Sequence, residues 1–231
     1  RYSIAAGVSL AFHFASWILS LKYTTVAIAV LLVTTHPIFV IGISITLLKA
    51  RVAPRQIAGS LVALAGVALI QFHELSASDN ADLWETSLRG NLLALAGSFF
   101  AAIYFLFSQR ARRQLSTLMH VEVTYATAAV CLGIAQLVMK TPPIPSEALP
   151  WLYLLLLVLL PTVGGHTIFN WGLRHLGAPL ISLFCLLEPL QAGLLAYLLL
   201  DEVPANHTLW GGAVVISGLL LAVWRRADQH L

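Results

Sequence analysis

The chain has 231 residues, of which 59% are hydrophobic and 10% charged, with a net charge of +3 and a mean hydropathy of +0.86. A soluble domain carries about 25% charged residues, and the polar remainder here is too small to cover an apolar core of this size, so a soluble globular protein is excluded. No glycine-rich phosphate loop, HExxH pair or G-x-S-x-G turn is present, and Cys131 and Cys185 show no metal-ligand spacing.

Eight apolar stretches read as membrane-spanning helices: 2–20, 23–48, 56–73, 90–109, 121–139, 149–173, 177–200 and 208–224. Each approaches or exceeds the ~20 residues that cross ~30 Å of hydrocarbon. Their composition is Leu/Ala/Val/Ile blocks and not the alternation of a membrane barrel, so the fold class is all-α integral membrane. In the first span His13, Ser16, Trp17 and Ser20 follow the spacing of one helix face. In the second, His36 precedes Pro37. In the third, Gly59, Ala63 and Gly66 form a close-packing face. The fourth brings Gly97, Ala101, Tyr104 and Ser108 to one side, and Glu122 stands at the interfacial end of the fifth. His166 and Asn170 are one turn apart in the sixth, and Glu188 precedes Pro189 in the seventh. Gly211 and Gly218 give the last span a packing face.

The connections alternate in charge. Arg1, Lys49, Arg51, Arg55, Arg110, Arg112, Arg113, Arg174, Arg225 and Arg226 fall on one side, and only Lys22, Arg89 and Lys140 on the other. Positive residues stay cytoplasmic, which puts the first set and both ends of the chain on the cytoplasmic side of the cell's inner (plasma) membrane. The acidic connection Glu74–Glu85 and the loop holding Pro142, Pro143 and Pro145 then lie outside.

The chain also repeats itself. Lys22, Pro37, Gly59 and Gly66 align without a gap on Arg174, Pro189, Gly211 and Gly218, each 152 residues later. An odd number of spans separates the copies, so they face opposite ways in the bilayer, as in inverted-repeat transporters. His36 and Glu188 are repeat partners, each just before its proline. The two prolines withdraw a donor from the carbonyls of Val33 and Cys185, and broken helices with free acceptors near the midplane build transport sites; a packing kink is the competing account. Glu188 is the formal charge deepest in a span, where it costs at least about 2.5 kcal/mol. A polar face in lipid must look inward, which gives Glu188, His36, Trp17, His13, Tyr104, His166 and Asn170 as candidates for substrate binding or coupling, with interhelical hydrogen bonding as the alternative.

Together these pieces resemble a known family. Residues 10–70 and 162–224 are similar to the last three helices of two successive EamA modules of the drug/metabolite transporter superfamily. Leu21-Lys22-Tyr23-Thr24-Thr25-Val26-Ala27 resembles the turn between the module's third and fourth helices, and Pro37 and Pro189 stand at its mid-helix proline. Gly90–Tyr104 resembles the start of the second module, and Leu200-Asp201-Glu202 its acidic helix end; Lys49-Ala50-Arg51 departs from that end in the first module. The resemblance implies an inverted-repeat bundle with eight of ten expected spans, two more being expected before Arg1. It divides the chain into 1–73 (three helices of the first module), 74–89 (an outer acidic linker) and 90–231 (the second module).

The expected function is secondary transport of a small metabolite or drug-like molecule by alternating access, as exporter or exchanger, with no cofactor, no metal and no nucleic-acid partner. Protonation and deprotonation of Glu188 would couple protons to the cycle; proton coupling and a homodimer both stay open. The rival is an intramembrane enzyme using His13, His36, His166 and Glu188, against which the repeat symmetry counts.

Overall fold

Helices begin where a side chain can meet the unpaired amides of a first turn. Thr25 Oγ1 accepts from the Ile28 N–H at 3.3 Å, and Ser116 Oγ accepts from the Met119 N–H at 3.2 Å. In the computed structural model, which describes residues 1–76, 83–140, 148–200, 203 and 205–224, such starts set off a series of helices. These are α1 (Tyr2–Ser20), α2 (Val26–Val33), α3 (His36–Thr46), α4 (Pro54–Ser76), α5 (Leu83–Arg112), α6 (Thr117–Met139), α7 (Ala148–Leu157), α8 (Thr167–Leu176), α9 (Ala178–Phe184), α10 (Glu188–Leu200) and α11 (Asn206–Val223). A π-helix, Val158–His166, joins α7 to α8, and a 3-10 turn, Cys185–Leu187, joins α9 to α10. Gly177, at φ +81°, makes the turn from α8 into α9, a backbone conformation that suits glycine.

The described residues form an all-α membrane protein. Six helical stretches among them are long and apolar enough to cross a bilayer: Tyr2–Ser20, Val26–Thr46, Leu88–Arg112, Thr117–Met139, Leu149–Leu176 and Asn206–Val223. The other two expected spans correspond to α4 and to the shorter apolar helix Ala178–Gln191 continued by the rest of α10. Much of the expected linker 74–89 is helical, because α4 reaches Ser76 and α5 starts at Leu83. The rest of that linker, the proline loop 141–147, Asp201, Glu202, Arg225 and Arg226 lie outside the described residues.

Three of the expected spans are interrupted, each for a local reason. Between α2 and α3, Thr34 Oγ1 donates to the carbonyls of Val30 (2.8 Å) and Leu31 (3.0 Å), and Thr35 Oγ1 donates to Leu32 O at 2.6 Å. Hydroxyls competing for helix carbonyls, followed by a proline without an N–H, end the α-ladder there. The 3-10 turn before Glu188 and Pro189 stands 152 residues later, at the matching point of the repeat. In the π-helix Pro161 has no N–H, Gly164 and Gly165 add no side chains, and Thr162 Oγ1 donates to Leu157 O at 3.0 Å, so the ladder widens.

The repeated glycines meet one another. A Cβ added to Gly59 would lie 2.5 Å from Gly218 O, and one on Gly66 would lie 2.7 Å from Gly211 O. Gly59 thus faces Gly218 while Gly66 faces Gly211, so α4 and α11 run antiparallel with their backbones in contact. The contacts are reciprocal: a Cβ on Gly66 meets Val215 N at 2.6 Å, and one on Gly218 meets Ala63 N at 2.5 Å.

Around this seam Val67, Leu183, Leu186 and Val215 form one buried cluster. A second, made by Leu10, Val40, Tyr104, Leu173 and Ile181, joins α1, α3, α5, α8 and α9. Large apolar side chains such as Leu137, Leu157, Leu160 and Trp210 remain exposed on the outside, the surface a bilayer would cover.

Candidate functional site

Seven rings from four elements form a continuous chain beside the second core cluster. Trp17 stacks on His13 (6.2 Å between centroids, 12° between planes), and His13 lies against Phe14 at 5.1 Å. Phe14 meets His166 edge-on at 5.7 Å, and His166 meets Tyr104 at 5.8 Å. Tyr104 contacts Phe105 at 5.1 Å, and Phe105 stacks on His36 at 5.6 Å. The chain therefore runs from α1 through the π-helix and α5 to α3. His13, His36 and His166 lie within electrostatic reach of one another.

The polar atoms of this cluster divide into those held by backbone and those held by nothing. His13 Nδ1 lies 2.9 Å from Gly97 O, and His36 Nδ1 lies 3.1 Å from Val33 O. A carbonyl can only accept, so in each imidazole Nδ1 carries the hydrogen and donates it. Gly97 makes the first contact possible, since a Cβ there would already stand 3.3 Å from Trp17 N. By contrast Trp17 Nε1, His36 Nε2 and His166 Nδ1 are buried with no hydrogen-bond partner. Among the described residues no group of three His, Cys, Asp or Glu side chains could hold a metal ion.

Of the residues expected from sequence, the structure brings His13, Trp17, His36, Tyr104 and His166 together. Asn170 lies directly behind them, fully buried. Its Nδ2 donates to Tyr104 Oη and, at 2.7 Å, to His166 O, while its Oδ1 lies 3.1 Å from His120 Nε2. Glu188 stands apart at the start of α10. No hydrogen bond or ion pair joins its carboxyl to His36 or to any other described residue, although Cys185 is an electrostatic neighbour. Its side chain is exposed. Pro37 and Pro189 sit at the helix breaks as expected. The carbonyls they release are not free, however: His36 Nδ1–H fills Val33 O, and the Glu188 N–H closes the 3-10 turn onto Cys185 O. A carbonyl in lipid is met by whichever donor stands nearest, and here each is met within its own turn.

Two features carried no signal along the sequence. One is a buried polar network: Ser3 Oγ lies 2.9 Å from His120 Nδ1, Thr124 Oγ1 donates to Ser3 O at 3.3 Å, and Arg112 Nε donates to Asn170 O at 2.9 Å. Arg112 reads in sequence only as a topology marker, yet it is buried and ties α5 to α8. The other is a cavity of about 840 Å³ at the arginine-rich end, bordered by Tyr2, Ser44, Arg51, Gln56, Gln109, Arg110 and Arg113. None of the candidates expected from sequence lines it.

The EamA-like transporter family model matches residues 2–72 and 88–224. An uncharacterized transporter of Archaeoglobus fulgidus is 28% identical over 213 residues, 91% of this chain and 72% of that protein. The uncharacterized transporter YdfC of Bacillus subtilis is 28% identical over 203 residues, 86% of this chain and 62% of that protein. One solved crystal structure, 21% identical, superposes with a TM-score of 0.79 over 99% of this chain and 78% of its own, a likeness of fold. With the family model matching on both sides of the α4–α5 connection and six stretches able to cross a bilayer, this multi-pass membrane protein belongs to the EamA-like transporter family.

Proposed function

We propose that the chain is a secondary transporter that moves a small metabolite or drug-like molecule across the inner membrane by alternating access, and that the ring cluster is its central site. The observation that carries this reading is the set of three buried polar atoms without partners, from α1, α3 and the π-helix. An unmade hydrogen bond at a buried group costs about 1–3 kcal/mol, so three around one cluster point to a partner that comes and goes. The cluster is built where helices are interrupted, at the start of α3 and the end of the π-helix, and interrupted helices are how transporters expose polar groups at membrane depth.

The cavity between Arg51, Arg110 and Arg113 serves as a vestibule. Unpartnered atoms at the cluster have no accessible surface while the vestibule is open, the combination of a carrier closed at its site and open towards one end. On this reading the two modules, 1–73 and 90–231, are inverted relative to each other, with the α4–α11 seam as a fulcrum. Exporting and exchanging cycles both fit.

The test is reconstitution of the full-length protein in liposomes and a counterflow assay with a metabolite library. Accumulation of chemically unchanged solute, lost in His36→Phe and Trp17→Phe, is the expected result. Turnover of a compound without flux would replace the carrier by an intramembrane enzyme.

A further inference from the structure

We infer that the ligand of the ring cluster is a flat heteroaromatic molecule that carries no negative charge and presents at least two N–H donors. This rests on the central-site reading above and specifies its substrate class. His13 Nδ1 and His36 Nδ1 are committed as donors to Gly97 O and Val33 O. In the neutral imidazoles each Nε2 is therefore an acceptor, a role set by the backbone carbonyl on the other ring nitrogen. His36 Nε2 is buried and makes no hydrogen bond, although the Ser182 backbone also lies close to this ring, and no hydrogen bond engages His13 Nε2 among the described residues.

The remaining polar atoms complete the pattern. Trp17 Nε1 offers a single donor, and His166, with Nδ1 unpaired, can present either tautomer. No carboxylate is hydrogen-bonded to any of the three imidazoles; the partners of His13 and His36 are the carbonyls of Gly97 and Val33. The cluster thus holds two oriented acceptors, one donor and one adaptable ring, all set among aromatic faces.

That array selects by repulsion as well as attraction. A carboxylate or phosphate would set its own lone pairs against two imidazole lone pairs, and the Trp17 and His166 donors replace only part of the water it loses. A flat ring bearing amino or ring N–H groups satisfies His13 and His36, accepts from Trp17 through a ring nitrogen, and stacks among Phe14, Tyr104 and Phe105. A delocalised cation gains further from the ring faces. The arginines of the vestibule do not contradict this, because they border a cavity that none of the seven rings lines.

Calorimetric titration of the purified full-length protein tests the assignment with three flat probes of similar size: 2-aminobenzimidazole, its fully N-methylated analogue, and indole-3-carboxylate. Alkaline conditions keep the first two uncharged. 2-Aminobenzimidazole is expected to bind at least about tenfold more tightly than either of the others, the size of one well-placed hydrogen bond. His36→Phe keeps a ring against Phe105 but removes the acceptor, and is expected to erase most of the advantage over the methylated analogue. His13→Phe does the same from the other side and serves if His36→Phe does not fold. If the carboxylate binds best and either variant weakens it, the substrate class is overturned while the central site stands. If the probes bind wild type and both folded variants alike, the substrate class and the central site both fall. If 2-aminobenzimidazole does not bind wild type at all, the substrate class is overturned, and the counterflow assay still decides the carrier reading.

Discussion

At His36 one ring nitrogen is occupied by the carbonyl that Pro37 releases, and the other is buried without a partner. The sequence placed this histidine beside a proline and opposite Glu188 in the repeat, which made it a candidate. Its real partners were not, because the nearest backbone acceptor competes successfully with a side chain from another helix. Asn170 shows the converse. Its spacing from His166 pointed to a cavity wall, yet its side chain is spent on Tyr104, His166 O and His120. Asn170→Ala is therefore expected to strand Tyr104 Oη and His120, lowering stability by about 1–3 kcal/mol, while substrate affinity changes little. Thermal unfolding in detergent, with and without substrate, reads both; wild-type stability together with lost affinity would return Asn170 to the binding surface. The Glu188 carboxyl has no hydrogen-bond partner among the described residues and stands at the head of α10. We propose that it binds and releases a proton during the cycle. Glu188→Gln, fixed as neutral, should still exchange substrate but lose acceleration by a pH gradient in liposomes. Wild-type pH dependence in that variant would remove the proton role.

Among the elements, the closest approach of backbones is the α4–α11 seam, and it makes a sharp forecast about glycines. At Gly66 an added methyl would sit 2.6 Å from Val215 N, and at Gly218 it would sit 2.5 Å from Ala63 N. Backbone atoms cannot swing aside as a side-chain tip can, so Gly66→Ala and Gly218→Ala should force the helices apart and cost about 1–3 kcal/mol. At Gly42 and Gly133 an added methyl would meet nothing within 4 Å; alanine there should be neutral or stabilise by up to about 1 kcal/mol. Melting temperatures of the four variants check this directly, and equal effects in all four would mean that the seam is not tightly packed. The two faces of the seam were legible as packing faces with a seven-residue glycine spacing that recurs 152 residues later, but not that they meet each other. The buried network of Ser3, Arg112, His120, Thr124 and Asn170 was not, because its partners come from different helices 50 to 121 residues apart. Periodicity within one helix reports which face is polar, and says nothing of which distant face it meets. The nine-residue π-helix was equally hidden, since Pro161 and the Gly164–Gly165 pair read simply as tolerated residues in an apolar run.

At the scale of the whole molecule, the sorting of charge in sequence and the gathering of helix ends in space agree. The ends of α3 and α5, the α8–α9 turn and Tyr2 all border one cavity together with Arg51, Arg110 and Arg113. Away from that cavity the turn after Lys22 meets the segment holding Arg89: the Arg89 guanidinium lies 4.4 Å from the centre of the Tyr23 ring, and Thr24 Oγ1 donates to Asn91 Oδ1 at 3.0 Å. Charge alone assigns a side to each connection by a statistical preference of insertion; contacts assign ends by geometry, with no reference to a membrane. We propose that the arginine-rich face is cytoplasmic and that Lys22, Arg89 and Lys140 lie on the outer face. Single cysteines placed at 51, 113, 22 and 140, after Cys131 and Cys185 are changed to alanine, test this in intact cells. A membrane-impermeant maleimide added from outside is expected to label Lys22→Cys and Lys140→Cys, and to reach Arg51→Cys and Arg113→Cys only after the cells are opened. The inverse pattern would turn the protein over in the membrane and make the vestibule an outward mouth. Mixed labelling within either pair would break the assignment of spans, because two residues on connections of the same set must share a side if each intervening run crosses the bilayer.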